Sequence, residues 1–359
     1  MPIDLRTRRL AKLLVNYSVF VKAGENVVLT GSALAKDLLV ALYKEVILAG
    51  AHPIMRVGLS GIAPFFYKYA NKEQLKKFPK EFDYAVKNAQ KYIGISTSDN
   101  TRALTSSNPK KLTAREKVMR PIADHICNEK PKIYRCTVGF PCIALAQEAE
   151  MDIIEYENFF YSSCLQDWGK INKKMNKIAS KFRKGKKVHL IGEGVDLKFE
   201  IHGDKLVIDD GKENMPGGEM FYAPIRETVN GYIKFTYPAI KGGKEVRGIK
   251  IKFKNGKVIK ATATKNEKFL KAMIKLDKGS KYVGELGIGC NKQIDRFTKN
   301  LLFDEKIGGT IHLALGMAYT ECKGKNKSAL HWDIVCDLRK NGQIIKDGKV
   351  IQRNGKWIF

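Results

Sequence analysis

This sequence has no Cys-x-x-Cys pair, no apolar signal core in its opening MPIDLRTRRL and no membrane-length apolar run. Its seven cysteines, at 127, 136, 142, 164, 290, 322 and 336, are odd in number and form no Cys-x-x-Cys pair. That spacing argues against a disulfide framework and against a zinc finger, and it implies reduced thiols in a reducing, cytoplasmic compartment. No stretch of about 18 apolar residues occurs, so no transmembrane helix is expected. The N-terminal MPIDLRTRRL is charged where a secretory signal would be apolar. His-Glu-x-x-His is absent, which excludes a helix-based zinc protease motif. Gly31-Ser32-Ala33, after the first apolar run, is not the Gly-x-Gly-x-x-Gly of a dinucleotide site.

Acidic residues are also scarce. Asp and Glu total 37 against 65 Lys and Arg, a formal net charge of +28. A basic chain can bind nucleic acid or an anionic membrane. Here the lysines are spread along the whole chain, mostly in pairs such as Lys186-Lys187, with no arginine-rich tail and no aromatic RNA-binding signature. The charge therefore reads as a solvated, lysine-rich surface, and no dedicated nucleic-acid or membrane partner is expected.

Two domains fit 359 residues. In the first, apolar runs at Asn26–Thr30, Pro53–Val57 and Lys91–Ser96 alternate with a helical pattern over Lys36–Ala49 that Gly50 can end. Strand, helix, strand at this spacing predicts an α/β domain with a parallel sheet, residues 1–183, whose region from about Thr113 to Arg183 reads as mostly helical. After the basic KFRKGKK stretch the pattern changes to short alternating strands. Turn dipeptides stand at Asp210-Gly211, Asn230-Gly231, Asn255-Gly256, Asn341-Gly342, Asp347-Gly348 and Asn354-Gly355. Residues 184–359 are thus expected to form an α+β domain rich in antiparallel strands.

The chemistry-bearing residues fall in this second half. Six histidines are few, and His52, His125, His189 and His202 sit in segments without obvious partners. His331 and Asp333 differ: in LHWDIVCD, read as a strand, positions i and i+2 share a face, so an imidazole and a carboxylate point the same way inside an apolar run. His312 lies in GGTIHLALG, Glu219 in NMPGGEMFYAP and Glu285 in YVGELGIG. Taken singly, each has an ordinary structural explanation as a core histidine, a hydrogen-bonded pair or a cap. Taken together, two Glu, two His and one Asp supply the mixed nitrogen and oxygen donors preferred by zinc-like ions. Five donors exceed the three of a usual mononuclear catalytic site and suit two metals sharing a bridging carboxylate.

At these residues the sequence resembles the thermophilic metalloaminopeptidases of the aminopeptidase T and aminopeptidase S type. The resemblance rests on NMPGGEMFYAP at 214–224, VGELGIG at 283–289, LLFDEKIGGTIHLALGMAY at 301–319 and SALHWDIV at 328–335, and extends to AGENVVLT and LAGAHPIM in the first half. It implies metal ligands at Glu219, Glu285, His312, His331 and Asp333, and a catalytic tyrosine at Tyr319. It further implies two divalent ions per subunit (zinc, cobalt or manganese), peptide substrates and a homodimer enclosing a cavity. Peptide hydrolysis needs an activated water and an oxyanion stabiliser. Tyr319 is the candidate for the second role, and Glu285 is the candidate proton shuttle. A dihydroxypyridine dioxygenase resembles the same family, so a non-haem iron ring-cleaving dioxygenase is the competing expectation. It would need only His312, His331 and Asp333.

Overall fold

The computed structural model describes residues 3–128 and 133–359. The chain forms two compact units, Met1–Gln166 with Gly211–Gly217, and Asp167–Asp210 with Gly218–Phe359.

The first unit is built on a five-stranded, wholly parallel sheet. Its order is His52–Gly58, Asn26–Ser32, Lys91–Ser96, Tyr134–Gly139 and Asn214–Met215. Val27, Val28 and Leu29 are all buried, as expected of a strand covered on both faces. The crossover helix Lys36–Leu48 ends at Gly50, whose φ of +72° is the left-handed cap conformation. The region expected to be mostly helical does hold helices Pro109–Asn128, Ile143–Glu148 and Ile153–Cys164. It also contains the strand Tyr134–Gly139, where only Cys136, Val138 and Gly139 are buried. That alternation is too short and too polar to stand out in the sequence.

The second unit begins earlier than the basic stretch. Helix Trp168–Arg183 belongs to it because the helix's apolar stripe, Met175, Ile178, Ala179 and Phe182, is part of that unit's core. Two antiparallel sheets share this core. One has eight strands: Lys257–Thr262, Lys250–Lys254, Asn230–Lys234, Val195–Glu200, Lys187–Gly192, Gln343–Lys346, Lys349–Arg353 and Lys356–Trp357. The other has five: His331–Asp337, Thr310–Gly316, Val283–Gly289, Glu219–Tyr222 and Val207–Asp209. Asn255-Gly256, Asp347-Gly348 and Asn354-Gly355 form two-residue hairpin turns, each with positive φ at both residues. Asn230-Gly231 instead opens a strand. Gly231 is required there because a Cβ would lie 2.0 Å from the Asp196 carbonyl oxygen of the neighbouring strand.

Candidate metal centre

The five-stranded sheet sorts its side chains by parity. Met220, Tyr222, Leu286, Ile288, Ile311, Leu313, Leu315, Trp332, Ile334 and Cys336 point into the shared core. The alternate positions on the same strands are Glu219, Glu285, His312, His331 and Asp333, so the period of two that fills the core also gathers the polar residues on the other face. Register brings them level. Ala314 stands between Glu285 on one neighbouring strand and Asp333 on the other, and Gly287 stands opposite His312. These two small residues leave room: a Cβ on Gly287 would fall 2.0 Å from Cε1 and 2.1 Å from Nε2 of His312, so the imidazole lies across the bare glycine.

All five sequence-predicted donors come together. Glu219, Glu285 and His312 form one group of donor atoms mutually within 4.8 Å, and Glu285, His331 and Asp333 form a second. His312 Nε2 is 3.2 Å from Glu285 Oε1 and 3.5 Å from Glu219 Oε2. His331 Nε2 is 3.4 Å from Asp333 Oδ2 and 3.6 Å from Glu285 Oε2. Glu285 thus turns one oxygen to each group.

Both imidazoles are oriented from behind. His312 Nδ1 donates to the Glu305 carbonyl at 3.1 Å, and His331 Nδ1 donates to the Met317 carbonyl at 3.0 Å. A carbonyl only accepts, so each Nδ1 carries hydrogen and each Nε2 faces the cluster, the tautomer a metal-binding histidine adopts. Glu219 Oε2, Glu285 Oε2 and Asp333 Oδ1 are buried and accept no hydrogen bond. Buried carboxylate oxygens without partners are costly. The donor types, the fixed tautomers and the three unsatisfied oxygens all fit divalent cations at this place.

The electrostatics agree. Burial and the Glu305 charge push Glu219 well above the usual carboxylate range, against the pull of Lys306 and His312. Burial raises Glu285 too, opposed by its hydrogen bond from His312. Burial alone would lower the His312 pKa, but Glu285, Glu219 and Asp333 outweigh it and push the imidazole up to about 10. This face of the sheet therefore has a high affinity for positive charge, whether proton or metal ion.

Tyr319 lies just beyond the His312 strand. Its ring meets His331 edge-on at 5.2 Å and Phe221 at 5.7 Å. Burial, reinforced by the charges of Glu285 and Asp333, raises its pKa above that of an ordinary phenol, so the hydroxyl stays protonated. The remaining histidines take no part. His52 is exposed, His189 pairs with Asp196 at 2.7 Å, and neither His125 nor His202 joins either donor group.

Two site residues were not anticipated. Lys306, fully buried, sits 3.2 Å from Glu219 Oε1 and contacts Glu305. Gly287 follows Glu285 by two residues on the same strand face, and that spacing is the one sequence signal that could have marked it.

Comparison with known proteins gives a consistent result. The thermophilic metalloprotease (M29) family matches residues 4–357. Aminopeptidase AmpS of Bacillus subtilis is 25% identical, with 97% of each chain covered. Among solved structures, wild-type AmpT from Thermus thermophilus superposes with a TM-score of 0.86 at 23% identity, covering 99% of both chains. The 2,5-dihydroxypyridine dioxygenase of Pseudomonas putida shares the fold with a TM-score of 0.63 at 12% identity, over 99% of this chain and 98% of its own.

Proposed function

This chain belongs to the thermophilic metalloprotease (M29) family and is a metalloaminopeptidase, and we propose that it removes N-terminal residues from peptides at the Glu285-centred cluster, with Tyr319 stabilising the oxyanion. The observation that carries this reading is the pair of donor groups sharing Glu285, with both histidine Nε2 atoms turned inward. Glu219, Glu285 and His312 would hold one divalent ion, and Glu285, His331 and Asp333 a second, of the zinc, cobalt or manganese class. When bound, such ions supply Lewis acidity and bring the ionisation of water close to neutral pH.

The chain's own residues supply the rest. The protonated Tyr319 hydroxyl donates a hydrogen bond to the scissile carbonyl oxygen, and that bond strengthens as charge develops there. A carboxylate oxygen of Glu285 accepts the proton of the attacking water and returns it to the departing amine. His331, the only half-buried member of the donor set, marks the side from which substrate reaches the cluster.

Metal analysis of the purified protein, paired with an aminoacyl-amide hydrolysis screen with and without chelator, tests the proposal. Chelator-sensitive release of the N-terminal residue is expected. Oxygen-dependent ring cleavage with a single bound iron, and no amide hydrolysis, would support the dioxygenase reading instead. The unsatisfied oxygens of Glu219 and Glu285 favour the peptidase, because three donors suffice for the iron site and would leave these two without a cation.

A homodimer is part of the proposal. The edge strand His52–Gly58 leaves Met55 and Val57 exposed, and helix Lys36–Leu48 exposes Val40, Tyr43 and Ile47. Such an apolar patch beside an open sheet edge is the kind of surface that pairs. A monomer by light scattering at micromolar concentration would refute this. All seven cysteines are thiols outside any disulfide, which supports a cytoplasmic setting. Among the described residues no helix is long and apolar enough to cross a membrane.

A further inference from the structure

Lys306 has no place in the mechanism above, yet it is the most completely buried charged side chain near the cluster, at 0% exposure. A buried ammonium is retained only where it is paired, and replacing such a pair with apolar groups is often neutral for stability. Its position therefore calls for a reason other than packing.

The local geometry gives one. Glu305 and Lys306 occupy the turn between the short helix Leu301–Asp304 and the strand Thr310–Gly316. The turn is fixed by its backbone: Lys306 N donates to the Phe303 carbonyl at 2.9 Å, and Asn291 N donates to the Lys306 carbonyl at 3.1 Å. From this one turn, the Glu305 carbonyl holds Nδ1 of His312, while the Lys306 ammonium holds Oε1 of Glu219 at 3.2 Å. The Glu305 carboxylate in turn holds the ammonium. With Oε1 taken, Glu219 has only Oε2 left. That oxygen accepts no hydrogen bond and faces His312 Nε2 at 3.5 Å.

We infer that Lys306 is a positioning residue for the Glu219–Glu285–His312 group: it occupies one oxygen of Glu219 so that the carboxylate presents the other, singly and in fixed orientation, to the cation held there. The inference rests on the metal-centre reading, and it assigns the Glu305-Lys306 pair the task of orienting two donors of one group and none of the other.

Charge and positioning predict opposite signs. Removing a buried cation next to an anionic cluster should, by Coulomb's law alone, tighten cation binding. Removing a clamp on a ligand should loosen it, by about 10–100-fold for supporting contacts of this kind. The experiment is zinc titration of the metal-free full-length protein in competition with a chromophoric chelator, comparing wild type with Lys306→Met. The expected result is two zinc ions in both proteins, one weakened about 10–100-fold in the variant and the other within about threefold of wild type. Tighter binding, equal weakening of both ions, or no change would overturn the inference. Wild-type protein that binds fewer than two ions would instead sink the two-metal reading beneath it. If Lys306→Met does not fold, Lys306→Gln carries the same expectation with a smaller effect, since its amide can still donate to Glu219, and the same outcomes overturn it.

Discussion

Gly287→Ala isolates a single contact of the proposed site. The substitution adds one methyl group to a strand that is paired on both sides, opposite Phe221 and His312. Gly287 does not have a positive φ, so alanine meets no backbone strain. The new Cβ, however, would stand 2.0 Å from His312 Cε1, 2.1 Å from Nε2 and 2.8 Å from Nδ1. Contacts under 3.0 Å are essentially never seen for real Cβ atoms, so the ring must retreat by about 1 Å.

The imidazole has little freedom to do so without loss. Its Nδ1 is tied to the Glu305 carbonyl, and its strand neighbours Ile311 and Leu313 are locked in the core. A shift of about 1 Å at a reacting centre typically costs on the order of 100-fold in rate. Loss of an orienting contact behind a metal ligand costs about 10–100-fold in affinity, or ~1.4–2.8 kcal/mol. Global stability should fall by no more than ~1–3 kcal/mol, the usual range for one extra methylene in a packed site. Gly287→Ala should therefore fold, keep its far-ultraviolet circular dichroism, and bind one ion at least about tenfold more weakly, with kcat/KM reduced about 100-fold. Chelator competition and amide hydrolysis measure these. If both affinities stayed within about threefold of wild type, His312 would not be a ligand held over Gly287.

Three other outcomes follow. Asp333→Asn and His331→Ala should each lose the ion at the Glu285–His331–Asp333 group together with activity while the fold persists, because both side chains leave the core face to Trp332 and Ile334; metal analysis showing full occupancy would remove them from the ligand set. Tyr319→Phe should keep both ions and its KM yet lose about 10²–10³ in kcat, ~3–4 kcal/mol for one oxyanion donor, and turnover within about threefold of wild type would leave the hydroxyl no catalytic role. Metal binding should release protons at pH 7. His312, facing Glu285, Glu219 and Asp333, has its pKa raised from its ordinary value to about 10, so its charged form contributes stability that is complete below the unfolded value and is lost as pH rises through about 10. A cation must displace that proton, so affinity should increase with pH, and calorimetric enthalpies that do not depend on buffer ionisation heat would contradict this.

Strand periodicity made much of this site legible before the structure. The i, i+2 spacing of His331 and Asp333 inside an apolar run indicates one face of one strand, whereas His312 and Glu285 stand out only by their apolar, glycine-rich surroundings, and the family resemblance is what implies their ligand roles. Parallel and antiparallel halves are legible for a related reason: helix-length crossovers separate strands of the first, and three of the six Asn-Gly or Asp-Gly dipeptides form hairpin turns in the second. What stayed hidden depends on register between distant segments. Gly287 matters only because it falls opposite His312, 25 positions along the chain. Lys306, in the glycine-rich stretch FDEKIGG, reads as one more surface lysine in a chain with 65 basic residues, and only the folded turn puts it at 0% exposure against Glu219. The basic KFRKGKK stretch suggests a domain break after residue 183, whereas the buried stripe of helix Trp168–Arg183, which includes Phe182 of that stretch, places the helix in the second unit.

The same sheet also explains how one scaffold can serve different chemistries. A strand buried on both faces has no solvent side on which to place polar groups, so each of Glu219, Glu285, His312 and Asp333 must be balanced by a partner within the protein or by a cation. The opposite parity, from Met220 to Cys336, builds the core and makes no reference to what the polar face does. A change among the polar donors can therefore alter the chemistry while leaving the packing intact. This chain shares its fold, at 12% identity, with a 2,5-dihydroxypyridine dioxygenase, and a shared fold does not fix the chemistry. On this scaffold His312 lies in one donor group and His331 with Asp333 in the other, and Glu285 alone belongs to both. In the proposed two-ion reading, Glu219, paired with Lys306, completes the first group, and Glu285 lends an oxygen to each. Both proposed groups thus depend on these glutamates, and Glu219→Gln combined with Glu285→Gln should leave a folded protein that binds fewer than two ions and no longer hydrolyses amides. Retention of two-ion binding by that double variant would show that the second cation is held by residues other than these.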